Sequence, residues 1–274
     1  MRFLQFTDIH LTTPGETILQ RDPNANFEKA LGHALADHSD AEALVITGDL
    51  SDWGDRDDYE RLKARIGALP FPVHLCIGNH DNRENFLSVF PDLANDDGFV
   101  QNVAPLGDAL AVTLDTKIPD THAGELCATR LAWLDRTLSD ADKPVFLFMH
   151  HNPVPTGQGP IDTIMLQNAD GFAETIRPYG DKIRHIFFGH CHLPLNGSLH
   201  GVPFSAPRGT NHAGGFNFAE PEKLTASDLP ESYAVVFASD RSVMVDMVEF
   251  GYGGPIHIEN TPDYAAWDRE TMAR

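Results

Sequence analysis

Residues 43–54 read ALVITGDLSDWG, an apolar run that stops at a glycine and an aspartate. The run Ala43–Thr47 consists almost entirely of aliphatic residues, which is typical of a strand buried on both faces of a parallel sheet. Gly48 permits a sharp turn directly after this strand, so the carboxylate of Asp49 is expected at the strand's end. Gly-Asp is a common turn dipeptide, and its meaning therefore depends on the rest of the chain.

Similar apolar runs recur along the sequence. They are Phe3–Thr7, Val73–Ile77, Ala109–Leu114, Val145–Met149 and Ile183–Phe188. Helical patterns separate several of them, namely Asn26–Asp37, Asp57–Leu69 and a stretch through Leu131, Leu134 and Leu138 that Thr129 is predicted to cap. Strands that alternate with helices indicate βαβ units and an α/β fold. Functional residues in such sheets gather outside the carboxyl ends of the strands.

The ends of these runs carry residues that bind metals. The segments are Asp8-Ile9-His10, Gly48-Asp49, Gly78-Asn79-His80-Asp81, His150-His151 and Gly189-His190-Cys191-His192. Asp, Asn and His together suit Zn, Mn or Fe, and the mixture lacks the several thiolates of a structural zinc site. Taken together, the segments supply enough ligands for two adjacent ions.

The spacing within two of the segments suggests how the ligands are presented. Asp8 and His10 are two residues apart, so both side chains project to the same side if the strand conformation continues. The same alternation predicts that His190 and His192 share a side and that Cys191 points away from the metals.

In the segment His150-His151, the sequence leaves open which histidine binds metal. His150 and His151 are neighbours, so only one of them is expected to face the ions. We choose His150 because it directly follows the apolar run, and we expect His151 to point away or to reach substrate. Asn79 offers a carbonyl oxygen as a ligand, and His80 follows it immediately.

The sequence changes character after residue 195. Gly, Pro, Asn and Phe become frequent, and Tyr233–Ala238 and Val243–Phe250 are predicted to form a hairpin. We expect a catalytic core over residues 1–195, followed over 196–274 by closing β-strands and a small β-rich extension. That extension is predicted to cap the site or to mediate dimerisation, which would make the protein a homodimer or a higher homo-oligomer.

Composition narrows the class of partner. The formal net charge of −20 disfavours a DNA or RNA polymer as substrate, because nucleic-acid binding relies on basic surfaces. No run is long enough to cross a membrane, and no signal peptide is recognised at the N-terminus. The three cysteines have unrelated spacings, so no disulfide framework is expected. We predict a cytoplasmic protein.

The ordered set of motifs resembles the calcineurin-like metallophosphoesterases over residues 1 to about 212. Within that superfamily, residues 48–54 and 209–212 resemble the bacterial class III cyclic nucleotide phosphodiesterases and the glycerophosphodiesterases. The resemblance implies a four-layer α/β sandwich with two metal ions, Mn, Fe or Zn. It assigns the first ion to Asp8, His10, Asp49 and His192, and the second to Asp49, Asn79, His150 and His190, with Asp49 bridging the two.

The resemblance also implies a mechanism. Two ions lower the pKa of a bridging water from about 15.7 towards 7, and the resulting hydroxide attacks phosphorus in line with the leaving group. His80 is the expected general acid or phosphate-orienting group. Asp52 matches the aspartate that pairs with the corresponding histidine in the protein phosphatases. A solvated turn carboxylate is the alternative for Asp52.

Departures from relatives narrow the substrate. The resembling protein phosphatases carry phosphate-binding arginines where this chain has Trp53 and Ile77. A site with fewer cationic side chains suits a singly charged phosphodiester better than a dianionic monoester or a phosphoprotein. Arg208 is the nearest residue that could compensate, and His212 resembles a substrate-pocket histidine of the glycerophosphodiesterases.

We therefore expect a phosphodiesterase acting on small diesters, either cyclic nucleotides or glycerophosphodiesters such as glycerophosphocholine. A phosphomonoesterase or nuclease on the same metals, and a metal-stabilised interaction module without turnover, are the alternatives.

The leaving-group pocket is predicted from late aromatic residues. Phe204, Phe216, Phe218 and Tyr233 would stack a nucleobase, cage a quaternary ammonium, or simply belong to the core. The remaining histidines are interpreted as surface or packing residues; they are His33, His38, His74, His122, His185, His200 and His257.

Overall fold

The computed structural model describes residues 1–257. The strands are β1 Arg2–Phe6, β2 Leu44–Thr47, β3 Val73–Cys76, β4 Asn102–Leu106, β5 Ala109–Thr113, β6 Val145–Phe148, β7 Ile183–Phe187, β8 Leu195–Leu199, β9 Val202–Ala206, β10 Ala213–Gly214, β11 Ala226–Ser227, β12 Ser232–Ala238 and β13 Val243–Glu249. The helices are α1 Pro23–His38, α2 Arg56–Ile66, α3 Arg83–Val89, α4 Ala128–Asp140, α5 Gly159–Thr163 and α6 Ala169–Ile176.

Two large sheets form the centre of the molecule. The first has the order β13-β12-β1-β2-β3 and the second the order β4-β5-β6-β7-β9-β8. Strands β1, β2 and β3 run parallel, as do β5, β6, β7 and β9. In the first sheet the antiparallel strands β12 and β13 form one edge, and in the second β4 and β8 are the antiparallel edge strands. Each sheet thus contains a block of parallel strands whose carboxyl ends lie together.

The two sheets pack face to face through aromatic rings. The ring of Phe3 on β1 lies 5.4 Å from that of Phe146 and 5.6 Å from that of Phe187, both in the second sheet. Helices α1, α2 and α3 cover the outer face of the first sheet, and α4 and α6 cover that of the second. The four-layer α/β sandwich is therefore confirmed.

The segment after residue 195 is built into both sheets. Strand β12 pairs antiparallel with β1, and β9 pairs parallel with β7. Strands β12 and β13 form the predicted hairpin. The short pair β10 and β11 stands over the strand ends, where its residues line a cavity. The boundary at 195 and the dimerisation role of the extension stay predictions, and residues 258–274 lie outside the described residues.

The predicted strands agree with the observed ones to within one residue at each end. The predicted cap of the third helix is wrong, because α4 begins at Ala128 and Cys127 occupies the N-cap position without a side-chain hydrogen bond. Strand β4 was not predicted. It is a half-exposed edge strand that contains Pro105, so it lacks the continuous apolar run of a central strand.

Candidate metal centre and pocket

The five ligand segments meet at the carboxyl ends of β1, β2, β3, β6 and β7, but the backbone there is not extended. Asp8, His10 and Asp49 have φ of 54°, 47° and 48°, and His190 and His192 have φ of 66° and 52°. The prediction that strand alternation presents Asp8 with His10, and His190 with His192, is therefore wrong. Left-handed turns present the ligands instead, each at a cost of about 1–2 kcal/mol that the buried surroundings offset.

Two glycines allow the segments to approach closely. A Cβ on Gly48 would lie 2.6 Å from Nδ1 of His150, and Gly48 itself has a φ of +96°. A Cβ on Gly189 would lie 1.8 Å from Oγ1 of Thr7. Neighbouring segments thus occupy the space in which any larger residue would place its side chain.

His10 and His192 lie close together in space, and the Nε2 atoms of their rings face each other. Nδ1 of His10 donates to Oδ1 of Asp52 at 3.0 Å, and Nδ1 of His192 donates to the carbonyl of His212 at 2.9 Å. With the protons on Nδ1, the two Nε2 atoms face each other at 3.4 Å. The Nε2 of His192 also lies 3.4 Å from Oδ1 of Asp8. These three acceptor atoms would repel one another unless a cation were bound between them.

A second convergence of acceptors lies beside the first. Nδ1 of His150 donates to the carbonyl of Thr47 at 2.8 Å, which directs Nε2 towards Oδ1 of Asn79 at 3.0 Å and Oδ2 of Asp49 at 3.3 Å. The buried Nε2 of His190 has no hydrogen-bond partner within the described residues.

The separations fit metal ions. The acceptor pairs are 3.0–3.7 Å apart, and atoms bound about 2.1 Å from one ion lie roughly 3.0–3.4 Å apart. One ligand atom per residue lies within 4.8 Å of the others in each of four sets: His10, His192 and His212; His150, His151 and His190; His10, Asp49 and His80; Asp8, Asp49 and His150. The residues present therefore fit the metal ions that the sequence predicts.

The charge states of Asp49 and His190 also suit metal ligands. Burial would raise the pKa of Asp49, but His150 and His80 beside it hold that pKa well below its usual value. Burial lowers the pKa of His190 well below its usual value, so its imidazole is neutral. An ionised carboxylate and a neutral imidazole are the forms that bind metals.

The structure divides Asp52 between two histidines. Nδ1 of His80 donates to the main-chain carbonyl of Asp52 at 2.8 Å, and the Asp52 carboxylate is 3.4 Å from the same nitrogen. The carboxylate lies closer to His10, at 3.0 Å. The main chain of Asp52 thus orients His80, and its side chain mainly orients His10.

Asp81 has a part that the sequence did not reveal. Its buried carboxylate accepts from the backbone N–H groups of Leu50, Ser51 and Gly78 and from the hydroxyl of Tyr59. It therefore fastens the loop after β2 to the loop after β3, which carry Asp49 and Asn79.

The other predicted residues lie in different places. The ring of His212 stacks on that of His192, with centroids 4.0 Å apart, and lines the cavity. His151 turns towards Oγ1 of Thr116 and the carbonyl of His122. Arg208 binds elsewhere: its Nη1 donates to the carbonyl of Pro230 at 2.8 Å and to Oε1 of Glu249 at 2.9 Å.

Four of the proposed ligand residues line one side of a cavity of about 350 Å³. Its inner wall contains Asp49, Asn79, His190 and His192, together with His80, His122 and His212. The outer wall is mostly aliphatic and includes Leu19, Ile161, Ile164, Leu193 and Leu224.

The late aromatic residues do not line the cavity, and for two of them the alternative of a place in the core is the one observed. Phe204 and Tyr233 are buried in the core, and Phe216 and Phe218 stack on each other with 43% and 74% of their surfaces exposed. Among the described residues that line the cavity, the rings are those of histidines. His122 is exposed, as predicted, and it also lines the inner wall of the cavity.

A family model for calcineurin-like phosphoesterases matches residues 1–194. The chain belongs to this family. The phosphoesterase is thus a hydrolase, as the sequence predicted. Within residues 1–257, none of its helices combines the length and the apolar character needed to cross a bilayer.

Relatives agree with this assignment. A probable cyclic nucleotide phosphodiesterase of Rhodopseudomonas palustris is 36% identical over 261 residues, which cover 93% of this chain and 95% of the relative. The glycerophosphodiester phosphodiesterase GpdQ of Enterobacter lignolyticus is 34% identical over 159 residues, covering 55% of this chain and 56% of the relative. The purple acid phosphatase of yellow lupin shares the fold, with a TM-score of 0.64 at 13% identity, over 92% of this chain and 52% of that one.

Proposed function

We propose that this phosphoesterase hydrolyses small phosphodiesters with two metal ions, Mn, Fe or Zn. Asp8, His10, Asp49 and His192 would hold the first ion. Asp49, Asn79, His150 and His190 would hold the second. The observation that carries the proposal is the convergence of imidazole Nε2 atoms whose Nδ1 protons are already committed to carbonyl and carboxylate oxygens.

When bound, the ions would lower the pKa of water and neutralise charge on the phosphate oxygens. Asp49 could bind both ions, because its Oδ2 lies 3.7 Å from Nε2 of His10 and 3.3 Å from Nε2 of His150. The backbone N–H of His80 donates to Oδ1 of Asp49 at 2.9 Å. This hydrogen bond holds the carboxylate between His10 and His150.

His80 is our candidate for the general acid. Its Nδ1 is held by Asp52, and its side chain, 30% exposed, lines the cavity. The ring can then pass a proton from Nε2 to the departing alkoxide, which is a poor leaving group when unprotonated.

The cavity suits a diester better than a monoester. Lys223 is the one Lys or Arg among the described residues that line it, and its side chain is 66% exposed and paired with Glu220. A dianionic monoester gains most from several cationic donors, whereas a diester carries a single charge. Arg208 is committed to Glu249, and we do not propose it as a phosphate ligand.

Two classes of small diester are supported by the named relatives. We infer cyclic nucleotides first, because the relative that matches nearly the whole chain carries that name. Glycerophosphodiesters are the second class, supported by GpdQ over about half of the chain. The net charge of −20 disfavours polymeric nucleic acid.

The test compares bis(p-nitrophenyl) phosphate with p-nitrophenyl phosphate on metal-stripped protein reconstituted with Mn, Zn or Fe. We expect no turnover without metal, and a diester rate at least about tenfold above the monoester rate after reconstitution. Adenosine and guanosine 3′,5′-cyclic monophosphate and glycerophosphocholine are then compared. A preference for the monoester, or turnover that ignores the metal, would overturn the proposal.

A further inference from the structure

Asn79 is the unusual ligand of the proposed set. It is a neutral amide, and only its Oδ1 can bind a metal, since the Nδ2 end is a donor. Its affinity for an ion therefore depends on which way round the amide is held. In the structure Oδ1 faces Nε2 of His150 at 3.0 Å, on the metal side.

His122 selects this orientation. It lies on the loop that follows β5, and Nδ2 of Asn79 is 2.9 Å from its Nδ1. Because an amide NH₂ can only donate, Nδ1 of His122 accepts and the ring carries its proton on Nε2. A flipped amide would place Oδ1 against Nδ1, two acceptors in contact. For this tautomer of His122 the flipped form is therefore disfavoured.

Lys117 holds the same residue from another side. Its Nζ donates to the main-chain carbonyl of Asn79 at 2.7 Å. Lys117 and His122 come from one loop, so that single loop binds both the backbone and the side chain of Asn79.

The loop is itself firmly anchored. Arg83 makes a two-pronged ion pair with the buried Asp115, at 2.6 and 2.8 Å, and Nη1 of Arg130 donates to the carbonyl of Asp115 at 2.7 Å. Nε2 of His151 donates to the carbonyl of His122 at 3.1 Å. A loop tied down at both ends can impose an orientation on Asn79 rather than follow it.

We propose that Lys117 and His122 are positioning residues that hold Asn79 as a ligand and thereby set the affinity of the second metal ion. The proposal rests on the ligand assignment in the proposed function. The first ion's ligands are oriented by other groups: Asp52 holds His10, the carbonyl of His212 holds His192, and Thr7 donates to Asp8. The loop should therefore act on the second ion and leave the first unchanged.

The test is a calorimetric titration of the metal-stripped full-length protein with Mn²⁺. In Lys117→Met and in His122→Phe we expect the second ion to bind about tenfold more weakly, the loss typical when a group that orients a ligand is removed. The first ion should stay within about twofold. His122→Gln, whose Oε1 can accept the same hydrogen bond, is expected to recover most of the affinity. Lys143→Met, an exposed lysine between α4 and β6, is the matched control.

A double-mutant comparison tests whether the effect runs through Asn79. In an Asn79→Ala background neither substitution should weaken the second ion further. With bis(p-nitrophenyl) phosphate, the variants should lose kcat at low Mn²⁺ and recover it at high Mn²⁺, because the loss lies in occupancy and not in chemistry. A merely structural role would instead weaken both ions.

The outcomes are distinguishable. If the wild-type protein binds two ions and hydrolyses the diester, but the variants bind Mn²⁺ as the wild type does, this inference alone is overturned. Equal weakening of both ions, or the same loss in Asn79→Ala, also overturns it. A wild-type protein that binds no pair of ions overturns the proposed function as well.

Discussion

The two walls of the cavity are built differently. Much of the inner wall consists of buried side chains at strand ends, and Asp49, which accepts a hydrogen bond from the backbone N–H of His80, is an example. The outer wall is mostly aliphatic, and two of its leucines on connecting segments, Leu19 and Leu224, are 54% and 72% exposed. The contrast indicates that the fold fixes the chemistry, whereas the loops set which leaving group fits.

The largest effect on activity is expected at Asp49, which belongs to both sets of proposed metal ligands. Asp49→Ala removes the carboxylate that reaches both histidine groups, so we expect kcat on bis(p-nitrophenyl) phosphate to fall roughly 10³-fold. Metal content is measured in parallel. Asp108→Ala, in the exposed turn between β4 and β5, has the same change of charge and should keep full activity. An active Asp49→Ala protein that retains two ions would contradict the ligand scheme.

The next effect is expected at His80. His80→Gln should lower kcat about 10²-fold for diesters with alkyl leaving groups, because these need a proton. The loss should be much smaller for p-nitrophenolate, which leaves readily without one. Equal losses with both leaving groups would show that His80 orients phosphate and is not the acid.

Binding of the second metal ion should depend on pH through its proposed ligand His150. Burial would lower the pKa of this histidine, but Asp49 raises it from 6.5 to about 9 in the metal-free protein. The protonated ring therefore stabilises the metal-free fold below pH 6.5, and this contribution is lost as pH rises through about 9.

A metal ion must displace that proton. Affinity for the second ion should thus rise with pH between 6.5 and 9, by up to about tenfold per unit. Calorimetry in buffers of different ionisation enthalpy measures the released proton. Binding that is independent of pH over this range would contradict the assignment of His150 as a ligand.

The sequence pointed to the proposed metal ligands for a physical reason. Buried parallel strands produce apolar runs, and the ligands follow directly where those runs end, so local pattern located Asp49, Asn79 and His150. It could not predict the left-handed backbone at Asp8 or His192, because positive φ at these residues is imposed by packing and not by residue type.

The outer wall could not be predicted in the same way. An aromatic residue in a closing strand has the same local signature whether it fills the core, as Tyr233 does, or faces a ligand. His122 contacts Asn79 across 43 residues of sequence, so no local signal marks it. Arg208 lies near His212 in sequence, yet an ion pair with Glu249 on β13 directs its guanidinium elsewhere.

The smallest effect is expected on the outer wall. Leu224→Ala should raise KM for the preferred diester about two- to tenfold with kcat unchanged, because aliphatic contact of this kind discriminates weakly. Leu229→Ala is a suitable control, since Leu229 is 48% exposed and is not among the cavity residues. A loss of kcat in Leu224→Ala would show that the outer wall also takes part in the chemistry.

Anomalous diffraction from crystals soaked in Mn²⁺ tests the central claim most directly. We predict two peaks, one among Asp8, His10, Asp49 and His192 and one among Asp49, Asn79, His150 and His190. A single peak, or peaks away from these side chains, would contradict the claim that these seven residues hold two metal ions.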